Sequence, residues 1–130
     1  MAQNNELSTS LVRIALPAIG TATTLTVPGP YLKRGSRIKQ MALLSAANIA
    51  ADGTNKVSAQ LQKLDGTVLA SISTDPAAQG AATLLVPLLA SASPLDVNTD
   101  EGLATKLVIV TAGTATVAIH SVVQLEYHSR

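Results

Sequence analysis

The run LATKLVIVTAGTATVAIHSVVQLEY, residues 103–127, sets two β-rich segments on either side of a small turn, Ala112-Gly113-Thr114. Leu107, Val108, Ile109 and Val110 load both faces of the first segment, and Val117, Ile119, Val122, Val123 and Leu125 fill the second. Branched aliphatics in such density favour a pleated strand over a helix. The stretch reads as a long C-terminal hairpin, and the rest of the chain can be tested for the same β pattern.

Working back toward the N-terminus, Ala82 to Ala90 is nearly all apolar with Pro87 inside it. A proline within a helix costs about 3 kcal/mol, so a strand that bends at Pro87 or lies on a sheet edge is expected. Before it, Val57, Ala59 and Leu61 alternate with Ser58, Gln60 and Gln62, and Val68, Ala70 and Ile72 return in alternation after Asp65-Gly66. That dipeptide between alternating apolar runs is the strongest hairpin signal in the chain. Gln40 to Ala51 has a helix-friendly composition, but it is short, lacks an acidic first turn and ends in Asp52-Gly53-Thr54; a strand to about Ala46 followed by a loop is expected. Val12, Ile14 and Leu16 form a first strand closed by Pro17 and Gly20. Thr21 to Val27 forms a second, with Leu25 and Val27 on one face, closed by Pro28-Gly29-Pro30. About eight strands at this spacing predict an all-β sandwich or barrel in a single domain, residues 10–130. Residues 1–9 are polar and without period, as in a flexible arm or one that orders against a partner.

Composition narrows the function classes. The chain of 130 residues is 47% hydrophobic yet contains no Phe or Trp and only Tyr31 and Tyr127, so its core must be built from Ala, Val, Leu and Ile. Such a surface has little with which to stack on bases or sugar rings. A formal net charge of +1 is too small to gather nucleic acid or anionic lipid. The absence of cysteine rules out disulfides, thiolate metal sites and a cysteine nucleophile. Neither a signal peptide nor a membrane-spanning apolar run is legible, so a protein made in a cytoplasm is expected.

The candidate chemical sites are sparse. Asp96, Asn98 and Asp100 offer oxygen ligands at alternate positions, with Glu101 beside them, but a helix-loop-helix calcium loop needs glycine sixth and a bidentate glutamate twelfth, where this chain has Glu101 and Leu107. The acidic turn reading is preferred, with a looser calcium loop as its rival. His120 and His128, placed on one extended strand, would stand ~26 Å apart, too far to share a metal. Four basic residues, Lys33, Arg34, Arg37 and Lys39, fall in seven positions. They suit an acidic protein surface, or a solvated loop and strand edge, and a run this short favours the latter. No nucleophile elbow, phosphate loop or dinucleotide motif occurs, and no pair of carboxylates stands out, so no catalytic, cofactor or metal residue is assigned and no enzyme is expected.

The order of motifs, VSAQLQKLDGTVLASIST at 57–74, an apolar strand, DEGLATKLVIV at 100–110 and a last strand ending VQLEY at 123–127, resembles the small jelly-roll proteins of tailed-bacteriophage virions, the capsid decoration (cement) proteins and head-fibre bases. The likeness covers about residues 10 to 127. One departure is Asp100-Glu101-Gly102, where that group often has Gly-Asp before its penultimate strand. The resemblance implies a jelly-roll sandwich that self-associates, commonly as a homotrimer, and binds the major capsid protein on the outer surface of the shell. It implies a structural role on the virion, without nucleic acid, membrane or cofactor. A rival from another class is a carbohydrate- or receptor-binding module of a fibre or tailspike, for which only Tyr31 and Tyr127 offer aromatic platforms.

Overall fold

The computed structural model describes residues 8–90 and 102–129. Eight strands are present among them: β1 (Ser8–Ala15), β2 (Thr24–Pro28), β3 (Arg37–Leu44), β4 (Val57–Lys63), β5 (Val68–Ser73), β6 (Leu88–Leu89), β7 (Thr105–Thr111) and β8 (Val122–Ser129). They form two antiparallel four-stranded sheets, ordered β1-β8-β3-β6 and β2-β7-β4-β5. The expected all-β, jelly-roll-like sandwich is the fold of the molecule.

Its connectivity follows from one register. β4 and β5 are joined at Asp65-Gly66, where Gly66 takes φ 98°, a left-handed conformation that glycine adopts without steric cost. Asp65 accepts the Thr67 N–H at 2.9 Å to brace the turn. Around this apex the partners nest: β4 with β5, β3 with β6, β2 with β7 and β1 with β8. Isolated bridges continue the pairing between strands, Ile49 with Ala82 on the inner part of the ribbon and Ile19 with Val117 and Leu32 with Leu103 on the outer part. The chain is thus one folded two-stranded ribbon, and each sheet takes alternate segments of it.

Where the ribbon passes from one sheet to the other, buried hydroxyls take up backbone groups that the ladders leave. Thr111 Oγ1 donates to the Gly20 carbonyl at 2.6 Å and accepts the Thr23 N–H at 2.9 Å. Thr74 Oγ1 accepts the Val57 N–H at 2.9 Å, and Ser121 Oγ accepts the Ala46 N–H at 3.0 Å while donating to the Ala118 carbonyl at 2.8 Å. Paired in this way, the hydroxyls sit among aliphatic side chains without the penalty of unsatisfied burial.

Alternation sets the core. Val57, Ala59 and Leu61 of β4, Leu107 and Ile109 of β7, Ile38, Met41 and Leu43 of β3, and Val123 and Leu125 of β8 point between the sheets and are buried. Ser58, Gln60 and Gln62 point away, in the alternation expected of a sheet with one wet face. A register shift between Leu61 and Gln62 opposite β5 brings Leu69 into the core beside Ala70 and Ile72, and leaves Val68 only half-buried.

Three expectations are corrected. The C-terminal pair is not a hairpin: β7 and β8 lie in different sheets, and Val117 pairs with Ile19 while Ile119 is exposed. The interval from Ala112 to Ser121 is the crossing between layers, which no tight turn can span when sheets stack ~10 Å apart. The apolar run Ala82–Ala90 pairs as a strand only at Leu88–Leu89, with a bridge at Ala82; that short strand does follow Pro87 on a sheet edge, as expected, but the rest of the run is not strand. Strand β1 begins at Ser8, so Ser8 and Thr9 belong to the sheet; residues 1–7 of the expected arm lie outside the described residues.

Replacing Ile109, fully buried at the centre of β7, by alanine is expected to lower stability by about 2–5 kcal/mol in urea unfolding. The same change at its neighbour Val110, on the outer face, should shift it by less than about 0.5 kcal/mol.

Candidate contact surfaces

The residues singled out as chemically interesting do not converge. His120 lies in the crossing after β7, exposed and with φ 74°, whereas His128 is on β8 between Thr9 of β1 and Arg37 of β3. The two histidines therefore do not share a strand, which corrects the geometry assumed for them. The acidic run Asp96–Glu101 lies outside the described residues. Among the described residues no group of three His, Asp or Glu side chains is close enough to hold a metal ion.

The two tyrosines differ in kind. Tyr127 faces inward from β8 and packs against the core, so it offers no platform. Tyr31 is 64% exposed, at the turn into the basic run, with its ring and hydroxyl against Gly102. Lys33, Arg34 and Arg37 are exposed beside it, and Arg37 opens β3. The run is a loop and the start of a strand.

Sequence reasoning missed an anchored corner at one end of the sandwich. Asp52 accepts the backbone N–H groups of Thr54 at 2.7 Å and Asn55 at 3.1 Å, and its other oxygen accepts Asn55 Nδ2 at 3.1 Å. Asn55 Oδ1 in turn accepts the Thr114 N–H at 2.9 Å, while Lys56 and Ala112 exchange backbone bonds. Gly113, at φ 62°, passes so close to Asn55 that a side chain would collide with its amide. An open cleft of about 320 Å³ adjoins this corner, lined by Asn48, Asp52, Asn55 and Thr114 among others. The Asp52 carboxylate is occupied by its own loop on both oxygens, so it serves as a pin.

A second groove, about 540 Å³, runs along the outer face of β4 and β5 under the turn Asp75–Gly80. Its walls are Ser58, Gln60, Ser71, Ser73 and Gln79, with Lys56 Nζ neutralised by Asp75 at 3.1 Å. Hydroxyls and amides without net charge can exchange hydrogen bonds with a polar neutral ligand or another protein face, but they supply neither acid, base nor nucleophile of altered reactivity.

The most distinctive surface is apolar. Leu84, Leu85 and Val86 are 58%, 92% and 65% exposed, and Leu89, a few residues on, is 48% exposed. This ridge is held on both sides. The Leu84 N–H donates to Asn48 Oδ1 at 2.9 Å, the Val86 N–H to Thr83 Oγ1 at 3.1 Å, Ala82 and Ile49 exchange bonds at 2.7 and 3.0 Å, and the Ala90 N–H reaches the Met41 carbonyl at 2.8 Å. A run of exposed aliphatic side chains tied down through its backbone is a mark of a contact site. The sequence showed the apolar run but could not show that it stands uncovered.

Comparison with protein families and with curated proteins returns no match for this chain.

The loop carboxylates give a pH signature. Backbone N–H groups of Thr54 and Asn55 hold Asp52 below the ordinary 3.8, the Thr67 N–H does so for Asp65, and the Ala77 N–H followed by Lys56 for Asp75. A carboxyl whose pKa is depressed by folding stabilises the fold in full above its unfolded value and loses that contribution as pH falls through the folded one. The melting temperature is therefore expected to fall as pH drops below about 4, and to fall less steeply in Asp52→Ala, as followed by circular dichroism.

Proposed function

We propose that this chain is a structural protein of a phage virion, a decoration or cement protein that binds the major capsid protein on the outer surface of the shell and stabilises it, with no catalytic step. The observation that carries the reading is the ridge Leu84-Leu85-Val86 with Leu89, a rigid aliphatic surface presented by a jelly roll. Burying one leucine of this kind against a partner stabilises the contact by about 1.5–3 kcal/mol. Many symmetric copies on a shell add such contacts by avidity, so each can be modest. The motif order that resembles small virion jelly rolls supplies the identity of the partner, and the small net charge fits attachment by shape and apolar contact. Self-association belongs to the same reading; the three-fold state implied by the resemblance is a separate question of mass in solution.

A second reading, a carbohydrate- or receptor-binding module, rests on exposed Tyr31 and on the uncharged polar groove along β4 and β5. It has a single largely exposed aromatic platform, because Tyr127 is partly buried against the core. Sugar sites draw on exposed aromatic faces, which ranks this reading second.

Purified protein is expected to bind expanded capsids stoichiometrically and to raise their melting temperature, measured by cosedimentation and calorimetry. Leu85→Asp should weaken that binding about tenfold or more while leaving the circular dichroism unchanged. A chain indifferent to capsids that instead binds glycans, with binding lost in Tyr31→Ala, would replace the first reading by the second.

A further inference from the structure

Three of the four sheet edges are blunted. β2 pairs its odd positions with β7, as the Thr111 N–H to Thr23 carbonyl bond at 2.9 Å sets. It therefore turns outward only the N–H groups of Thr24 and Thr26, and Pro28 has none. On β5, both outward groups of Ser73 are taken by Gln79, whose Oε1 accepts the Ser73 N–H at 2.7 Å and whose N–H donates to the Ser73 carbonyl at 3.4 Å. β6 is two residues long and follows Pro87. These are the usual devices by which a sheet avoids pairing with strangers.

Among the described residues β1 has none of them. It runs for eight residues, Ser8–Ala15, without proline or register shift, and its one charged residue is Arg13. The Leu16 N–H donates to the Ser121 carbonyl at 2.8 Å, and the unbroken register then directs the backbone groups of Ile14, Val12 and Ser10 toward β8. The N–H and C=O groups of Thr9, Leu11, Arg13 and Ala15 point to the open edge. The side of the sandwich behind this edge is also incompletely closed: Val12 and Ile14 face inward yet are only half-buried.

We propose that the β1 edge pairs with the β1 edge of a second copy of this chain, antiparallel about a two-fold axis at Val12. Thr9 then stands opposite Ala15 of the second copy and Leu11 opposite Arg13, and each of these pairs exchanges two backbone hydrogen bonds. Both four-stranded sheets keep their inner faces on the same side, as a self-complementary contact requires. Val12 meets its own copy at the axis, on the inner face where it is half-buried, and Leu11, 55% exposed, lies along the aliphatic stem of Arg13. Arg13 is already turned onto the outer face by its Nε bond to Gln124 Oε1 at 2.9 Å. An axis at Arg13 would set like charges face to face, and one at Leu11 would leave Ala15 beyond the partner's Thr9. The axis at Val12 alone employs all four outward residues. This fit of the edge to itself is what selects a second copy over an unrelated strand.

The proposal is tested on the full chain without capsids, so its outcome does not depend on the capsid reading. Sedimentation over about a hundredfold range of concentration should show monomer passing to dimer. Across the same range the amides of Thr9, Leu11, Arg13 and Ala15 should gain at least about tenfold in exchange protection, while those of Ser10, Val12 and Ile14 stay as they were. Leu11→Lys, which sets a cation opposite Arg13, should raise the dissociation constant about tenfold or more, and Leu11→Glu should lower it. Both substitutions fall on an exposed outer position, and unchanged circular dichroism verifies the fold. A chain that is monomeric throughout overturns the proposal, as does a trimer, or a dimer in which those four amides exchange no more slowly and both substitutions are without effect.

Discussion

Nearly every contact in this protein depends on the register laid down around Asp65-Gly66. Once the Gly66 turn reverses the chain, the pairing of Ala59 with Ile72, of Ile49 with Ala82 and of Ala42 with Leu89 follows along the ribbon. The side-chain period of a strand is two, so a slip of one residue would carry Val57, Ala59 and Leu61 to the solvent and Ser58 and Gln60 into the core. The core is built almost wholly from Ala, Val, Leu and Ile, together with Met41. Tyr127 is the one ring packed against this core and it is only partly buried, so specificity has to come chiefly from alternation, from the bulges at Ile38/Gln40 and Leu61/Gln62, and from hydroxyls at the crossings.

Those hydroxyls explain how a ribbon can change sheets without stranding its backbone. Thr74, Thr111 and Ser121 are buried at points where a ladder stops and another has yet to begin, and each supplies the acceptor or donor that a neighbouring strand would have given. The Asp52–Asn55 corner does the same on the outside, tying the loop before β4 to the one after β7. Polar residues here position the ribbon, and the exposed ridge at Leu84–Val86 is left to aliphatic groups.

The alternation of β4 and β5, the Asp65-Gly66 turn, the end of β2 at Pro28 and, to within two residues of the expected Ala46, the end of β3 at Leu44 were readable because each is a local pattern with a local cause. The partner of β8 was not. Adjacency in sequence suggested β7, whereas the nest gives β8 to β1 and β3, and the positive φ of His120 that marks the crossing leaves no trace in residue type. The ridge at Leu84–Val86 was hidden for a related reason: an apolar run states a preference for burial, and only the two-residue length of β6 reveals that no strand among the described residues covers it. Asp52-Gly53-Thr54 did signal a turn, but its link through Asn55 to Thr114 spans 59 positions and lies beyond any local pattern. Tyr31 and Tyr127 look equivalent in composition and differ only through the strand face that Tyr127 occupies. The ridge and the open edge of β1 lie at opposite borders of the sheet β1-β8-β3-β6, so a contact at one leaves the other accessible.

The nest of partners also imposes a sequence in time. Closing a long loop at random is costly in entropy, and folds dominated by distant pairs are slow to form. Here the β4–β5 turn needs only a few residues to close, and once it exists the Ile49–Ala82 bridge and then β3 with β6 become short extensions of a ribbon already aligned. β1, whose partner β8 is the farthest away along the chain, is therefore expected to join at the end of such zippering and to be released first when it reverses.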